Sequence, residues 1–498
     1  MIVYLILLAV ALGFFWFRGK YSYWKERNVP FVEPSFPFGS LKGMNKRHLA
    51  MLAQDLYNEL KDSGKKFGGI WFFVNPVALI LDLDFAKDVF VKDFQYFHDR
   101  GLYSNEKADP ISAHLVTLEG SKWKNMRSKL TPTFTSGKMK MMFPTLVRVS
   151  DEFIECLECE AAKGVEVEMK DFLARFTTDI IGNCAFGLEC NSLKNPDADF
   201  RIMGRKALSM TPMIFLRRMM AITFKGLARK LNVRTTDPEV AQFFIKAVED
   251  TIDYREKNNI QRNDFMDLMI KLKNSEPLED ANSSQLGPIT INEIVAQSFV
   301  FFVGGFETSA TTMSYCLYEL ARNQEVQSRA RENVLQILQK HGSLTYEAVH
   351  EMRYIENCIN ESLRMYPPLP NLLRETTKDY HVPEMNVTLQ KNYQVLLPVY
   401  AIHHDPRYHP DPETFNPDRF NPDQSANRHP MAFVPFGEGP RNCIGLRFGM
   451  MQARVGLAVL LKNFRFRLSP KTPVPLKIVA NSSVLTSEGG LWLHIERL

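Results

Sequence analysis

The chain opens on an unbroken apolar run. Residues 1–17 contain Gly13 as the only residue outside the apolar set, and Arg18, Lys20, Lys25 and Arg27 follow closely. At a helical rise of about 1.5 Å per residue the run reaches roughly 25 Å, short for an average bilayer and nearer the thinner core of the endoplasmic reticulum membrane. It reads as a single-pass transmembrane signal anchor over residues 1–18, with Tyr21, Tyr23 and Trp24 at the interface. A cleaved signal peptide is the rival, because Ala9-Val10-Ala11 resembles a cleavage site. Against it, no basic region precedes the run, and bulky Phe14, Phe15, Trp16 and Phe17 follow that site. Positive charge on the carboxy side alone leaves the body in the cytosol. Pro30, Pro34, Pro37 and Gly39 then give a basic, proline-rich hinge over 19–39.

Beyond residue 40 the pattern belongs to one domain running to residue 498, since no linker, repeat or low-complexity tract divides it. Residues 69–83 are β-rich on both sides of Asn75-Pro76, which predicts a hairpin with its turn there. From about 85 to 370 the apolar positions recur with the helical period, and extended segments return at 393–399, 464–468 and 491–495. The fold class is therefore mainly α with small β-sheets. The longest helix is predicted over 289–323, opened by a Thr290-Ile291-Asn292-Glu293 capping box. Glu307 and Glu319 interrupt it before about 18 apolar residues accumulate, so it is not a second membrane span. Gly304-Gly305 in its middle costs about 1 kcal/mol per residue relative to alanine, which demands a reason. The Met-rich, basic stretch 210–220 fits a core helix with a solvated edge and a membrane-dipping loop equally well.

Composition narrows the function. With 498 residues, 45% apolar content and 61 Lys+Arg against 56 Asp+Glu, the net charge is only +5. Disorder is excluded, and a nucleic-acid binder resting on a strongly basic surface is disfavoured. Basic charge is local: residues 120–150 carry Lys122, Lys124, Arg127, Lys129, Lys138, Lys140 and Arg148 with no acidic residue. Seven cysteines in so long a chain are too sparse to staple it and read as reduced. Cys156-x-x-Cys159 has no second pair at zinc spacing.

The chemistry concentrates in Phe436-Gly437-Glu438-Gly439-Pro440-Arg441-Asn442-Cys443-Ile444-Gly445. Gly437, Gly439 and Gly445 let the backbone pass close to a flat ligand, Arg441 can pair with an acidic edge, and Phe436 can shield the Cys443 sulfur. Those are the needs of a heme whose iron takes Cys443 as axial metal ligand; a buried, inert cysteine explains neither the arginine nor the glycine spacing. This stretch resembles the heme-binding signature of the cytochrome P450 family. Three more elements carry the same resemblance. In Glu361-Ser362-Leu363-Arg364, the i, i+3 pair shares a helix face, and the family joins it to Arg419 of Pro417-Asp418-Arg419-Phe420 as a buried structural triad. Gly304-Gly305-Phe306-Glu307-Thr308-Ser309 matches the oxygen-binding motif, in which Glu307 and Thr308 deliver protons. Trp123-x-x-x-Arg127 is similar to an element reaching a heme propionate, and Arg374 holds the place of another propionate-binding arginine.

The resemblance implies a cytochrome P450 fold holding heme b. It implies a monooxygenase that inserts one oxygen atom of O2 into apolar small molecules, with NADPH electrons arriving through NADPH-cytochrome P450 reductase and cytochrome b5 as a second partner. Nucleic acid is not a partner. The basic face of 120–150 then becomes the reductase-docking face, including Lys122, Lys124, Lys129 and Lys140. The substrate wall is expected to include Phe301, Phe302, Leu372, Leu373, Val484 and Leu485. The texture around Arg262 to Met269 and around Pro417 looks most like insect microsomal enzymes that oxidise plant toxins and insecticides. A biosynthetic hormone or lipid hydroxylase shares every motif, and a heme-thiolate sensor is the alternative of another class. The localisation implied is the cytosolic face of the endoplasmic reticulum membrane. The sequons at Asn282, Asn360, Asn386 and Asn481 should then carry no glycan.

Overall fold

The structure is a computed structural model that describes residues 1–262, 264–274 and 288–498. Helices dominate, and nine strands form three small sheets among the described residues. The first sheet orders β1 (Phe67–Phe72), β2 (Asn75–Ile80), β7 (Gln394–Leu397) and β4 (Leu372–Glu375). The second orders β3 (Val167–Glu168), β9 (Trp492–Arg497) and β8 (Phe464–Leu468), and the third pairs β5 (Tyr380–Val382) with β6 (Val387–Leu389).

The hairpin turn lies two residues earlier than the sequence suggested. Phe72 pairs with Asn75, so Phe73 and Val74 make the turn, and Phe73 takes the left-handed conformation at φ 55. Asn75 and Pro76 belong to β2. Pro76 is tolerated there because pairing with β7 begins only at Val77, so its missing N–H lies outside that ladder.

Two cores result. A sheet core gathers Trp24, Phe67, Trp71, Phe85, Phe90 and Leu396, and a larger helical core surrounds the helix Ile291–Arg322. That long helix begins on the expected capping box, with the Thr290 hydroxyl accepting the Glu293 N–H and Glu293 reaching back to Thr290. Its partner is the helix Met169–Ile181, capped by Glu168. Gly305 permits their close approach, since a Cβ there would stand 2.7 Å from Ile181 Cδ1.

The amino-terminal run is a helix, Ile2–Tyr21, with Arg18 and Lys20 in its last turn. The expectation of a transmembrane span needs correction: among the described residues no helix is long and apolar enough to cross a membrane. The apolar run ends at Phe17, where charge enters the last turn and leaves the stretch short of the roughly 20 residues a span requires. The segment after it is tied down. The Trp24 indole is buried and donates to the Ile70 carbonyl at 3.1 Å, while the Trp71 indole donates back to the Lys20 carbonyl at 3.1 Å. Most of the stretch 210–220 falls on a helix, Pro212–Thr223, that buries Ile214 and Ala221 and exposes Met213, Leu216 and Ile222.

Candidate active site

Four segments converge on the Cys443 loop. Gly437 and Gly439 adopt φ of 71° and 72°, a region only glycine enters freely. At Gly439 the close approach is absolute: a Cβ would lie 2.0 Å from the Phe90 carbonyl oxygen. The loop closes through the Cys443 N–H donating to the Phe436 carbonyl at 2.8 Å, and the helix Leu446–Asn463 leaves directly from Gly445. The Cys443 side chain is accessible, in contrast to Cys184, Cys190, Cys316 and Cys358, which are buried. Burial by the surrounding walls raises its thiol pKa, and the Gly445 N–H together with Arg127 and Arg100 opposes that rise by favouring thiolate.

Above the loop, guanidinium groups crowd together. Arg374 and Arg441 are almost fully buried. Arg441 Nη2 donates to the Leu118 carbonyl at 2.7 Å and meets Asp99 at 3.3 Å, yet its Nε and Nη1 are buried without a hydrogen-bond partner, as is Arg374 Nε. Burial first, then mutual repulsion with Arg100, pushes the Arg441 pKa down to about 9 and Arg374 well below the ordinary arginine range. Burial also lowers Arg100 to about 10. Asp99, with Glu119 acting from farther off and itself paired to Lys225 and Arg229, cannot balance three such cations, so the arrangement is built for further negative charge. Trp123 is buried beneath Arg441, 4.2 Å from guanidinium to ring centroid. Arg127 does something different: its two terminal nitrogens donate at 2.9 Å to the Asn442 carbonyl and side-chain oxygens, clamping the residue before Cys443.

The long helix crosses this region with Gly304 outward. A Cβ on Gly304 would meet nothing within 4 Å, whereas Gly305 packs on Ile181, so the two glycines have separate reasons. Thr308 Oγ1 donates to the Gly304 carbonyl at 2.5 Å. Glu307 pairs with Lys170 at 2.8 Å. Positions 300, 304 and 308 share one face by the i, i+4 rule, which places Val300 on the open stripe. Phe302 does not lie there. It is wholly buried among Phe186, Phe200, Phe244 and Phe306, and Phe301 packs edge-on against Phe134 and Phe265. The causes differ: Phe302 stands about 200° round the axis from Val300 and lies off the stripe, whereas Phe301, within about 20° of Thr308, is engaged by the Phe134 and Phe265 rings.

Leu372 and Leu373 fall on β4, where neighbouring side chains point to opposite faces. Leu372 shares its face with Arg374 and comes within 3.7 Å of the Cβ position of Gly437, so Leu373 is directed the other way. Val484 and Leu485 are buried in a loop that the Leu485 N–H fixes to the Pro368 carbonyl at 3.1 Å. Tyr315 of the long helix donates to the Leu485 carbonyl at 3.3 Å.

Behind the loop, Glu361 accepts two bonds from Arg364, at 2.8 and 2.9 Å, and one from Arg419 at 3.2 Å. All three side chains are shielded, Glu361 and Arg364 completely. Arg364 also holds the His403 and Pro412 carbonyls, so the cluster fastens the segment leading to the Cys443 loop.

A family model described as Cytochrome P450 matches residues 30–494. The chain belongs to the cytochrome P450 family. Among its relatives are cytochrome P450 6a2 of Drosophila melanogaster, 44% identical over all of this chain and 99% of that protein, and cytochrome P450 6a9 of the same fly, 45% identical over the full length of both. Cytochrome P450 6A1 of Musca domestica is 42% identical over all of this chain and 98% of that protein.

The residues of this P450 fit the family's heme. Cys443 offers an accessible thiol between three glycines, and the buried arginine nitrogens without partners match two propionate carboxylates. Arg100 and Asp99 escaped the sequence reading. No local motif marks them; they reach the site because Asp99 bridges Glu375 at the end of β4, a contact across the chain.

Proposed function

We propose a working arrangement for this P450, a heme-thiolate monooxygenase that receives its electrons from a reductase. Heme, when bound, activates dioxygen so that one of its atoms enters the substrate. Cys443 would supply the thiolate to the heme iron, Arg374, Arg441 and Trp123 would hold its carboxylates, and Arg127 acts through its clamp on Asn442. Gly304 leaves room on the substrate side, the Thr308 hydroxyl passes a proton across that space from Oγ1, and the Glu307 carboxylate takes that proton from water and hands it on. The observation that carries this reading is the open Gly304 face beside Thr308, while the next residue, Gly305, packs on Ile181.

The substrates proposed are apolar foreign compounds, plant toxins and insecticides, on the strength of the likeness to insect members. The electron donor proposed is NADPH-cytochrome P450 reductase, with cytochrome b5 as a second donor, at the cytosolic face of the endoplasmic reticulum. Attachment there is through the amino-terminal helix, which presents Ile2, Leu5, Leu8, Leu12, Phe14 and Phe15 to its surroundings. The test is NADPH-dependent turnover, with reductase, of a mixed panel of plant toxins, insecticides, steroids and fatty acids. Oxidation of several toxins or insecticides is expected. Efficient turnover of one steroid or fatty acid alone would overturn it in favour of a biosynthetic hydroxylase. An endoglycosidase shift at Asn360, Asn386 or Asn481 would overturn the cytosolic placement; Asn282 lies outside the described residues.

A further inference from the structure

Glu307 is not a free acid. Its carboxylate meets Lys170 Nζ at 2.8 Å, and both side chains are shielded, with 12% and 16% of their surface exposed. Lys170 stands on the first turn of the helix Met169–Ile181, the same helix that presses Ile181 against Gly305 and whose Thr177 hydroxyl donates to the Phe306 carbonyl at 2.9 Å. Three consecutive residues of the long helix, 305 to 307, are thus each engaged by this one neighbour. Lys170 Nζ makes a second contact, donating to Thr486 Oγ1 at 3.2 Å. Thr486 follows Val484 and Leu485, and its hydroxyl donates in turn to the Val484 carbonyl at 3.0 Å.

A largely shielded ammonium bonded both to the acid and to a neighbouring loop fixes the carboxylate more narrowly than solvent would. An ion pair at this degree of burial is strong enough to set rotamer, and breaking one partner leaves the other charge without its counterion. The position is also specific. Glu307 and Thr308 are about 100° apart around the helix axis, so the direction of the carboxylate depends on the partner that holds it. The remaining exposure keeps the pair in reach of water, from which a proton must come.

We propose that Lys170 is a positioning residue for Glu307: it holds the carboxylate at the wetted end of the site and ties it, through Thr486, to the loop that carries Val484 and Leu485. This rests on the reading that Glu307 supplies protons. A substrate that displaces the loop shifts Lys170, and with it the acid, so the pair links occupancy of the loop to proton supply.

Lys170→Gln, Lys170→Arg, Glu307→Gln and the Lys170→Gln/Glu307→Gln double variant are compared as full-length, heme-loaded proteins with reductase. Two quantities are read: product formed per NADPH consumed, and substrate-free melting temperature. Lys170→Gln is expected to lower product per NADPH by at least about threefold, with the balance released as peroxide, while KM changes little. Lys170→Arg, which keeps the charge, should restore most of the coupling. In the Glu307→Gln background Lys170→Gln should cost no further coupling, and the two substitutions should be non-additive in melting temperature. If Glu307→Gln uncouples but Lys170→Gln does not, the positioning role is wrong and the acid role stands. If Glu307→Gln leaves product per NADPH unchanged, the acid role itself fails. Additive effects in both measurements would likewise overturn the positioning role.

Discussion

The Arg441 guanidinium lies 4.2 Å from the centroid of the Trp123 ring, with both side chains buried. The indole face attracts the cation where water cannot, an interaction worth about 2 kcal/mol when desolvated. It also stops the arginine from turning away, so the nitrogens without protein partners stay free for the carboxylates that the proposed heme would bring. Trp123→Ala should therefore weaken heme retention by about tenfold, the equivalent of about 1.4 kcal/mol, with Trp123→Phe intermediate. The measurement is heme lost to excess apomyoglobin over time. Equal retention in Trp123→Ala and the parent would show that Leu118 and Asp99 hold Arg441 unaided.

Cys443 is the one cysteine that combines accessibility, a glycine-framed loop and an N–H aimed at sulfur. Cys443→Ala and Cys443→His should abolish the red-shifted Soret band of the reduced carbon monoxide complex. Persistence of that band in either variant would sink the ligand assignment.

Thr308 gives its hydroxyl hydrogen to the Gly304 carbonyl in the resting arrangement. The bond is local and weak, so the hydroxyl can turn toward the open face at a cost of about 1 kcal/mol. Thr308→Val keeps shape and removes the hydroxyl. It should keep consuming NADPH while product per NADPH falls by about tenfold or more and peroxide rises, and Thr308→Ser should recover most of the coupling. Unchanged product per NADPH in Thr308→Val would remove Thr308 from proton delivery.

Legibility in the sequence followed how local the determinant was. The long helix carried its own cap and its own glycine pair, and β8 runs from Phe464 to Leu468 as the alternation of apolar and charged residues indicates. The Cys443 loop was readable because its glycines, arginine and cysteine are contiguous. Substrate-wall residues were not. Phe301 and Phe302 are apolar, adjacent and on the right helix, but rotation about the axis decides which one faces the site, and that rotation is set by Ile181, Thr177 and the aromatic cluster packed around them. β3, β5 and β6, of two or three residues, leave no period to detect, and β4 reads Leu-Leu-Arg-Glu without alternation. Arg100 and Lys170 were invisible for a different reason: each acts on a partner far along the chain.

The basic stretch 120–150 is less uniform than its sequence. Lys129 is buried and donates to the Pro288 carbonyl at 3.1 Å, so it cannot belong to a docking face. Lys122 is paired with Glu106 at 2.7 Å and Lys140 with Glu347 at 2.6 Å, both at the surface, where such pairs are worth about 0–1 kcal/mol and open readily. Lys124 is exposed. Lys124→Glu with Lys140→Glu should slow reductase-supported turnover several-fold and flatten its dependence on salt, leaving peroxide-driven turnover intact. Lys129→Glu should instead lower heme content and stability. Equal loss of both kinds of turnover in the double variant would mean misfolding rather than docking.

His403 is locked as a neutral ring. Its Nδ1 faces the Arg364 carbonyl at 3.2 Å and must donate, while its Nε2 accepts the Val434 N–H at 3.1 Å and has no room for a second proton. Burial drives its pKa well below the ordinary histidine value, and burial likewise lowers His404 to about 3 and His409 to about 4. In the unfolded chain these rings take up a proton near pH 6.5, whereas the folded protein refuses it. The unfolded state therefore binds more protons below about pH 6.5, and stability falls as pH drops, by up to about 1.4 kcal/mol per pH unit for each such ring until its folded pKa is reached. Stability is fully retained above about pH 7. Melting temperature should decline from pH 7 to pH 5, and His403→Gln, which keeps a donor and an acceptor without titrating, should be less stable at pH 7 but decline less steeply. Comparing variant with parent cancels the opposing contribution of Glu319 and Glu375, whose carboxyls burial pushes up. Parallel melting curves for His403→Gln and the parent across that range would show that His403 titrates freely, and the tie between the Arg364 cluster and the segment entering the Cys443 loop would have to be redrawn.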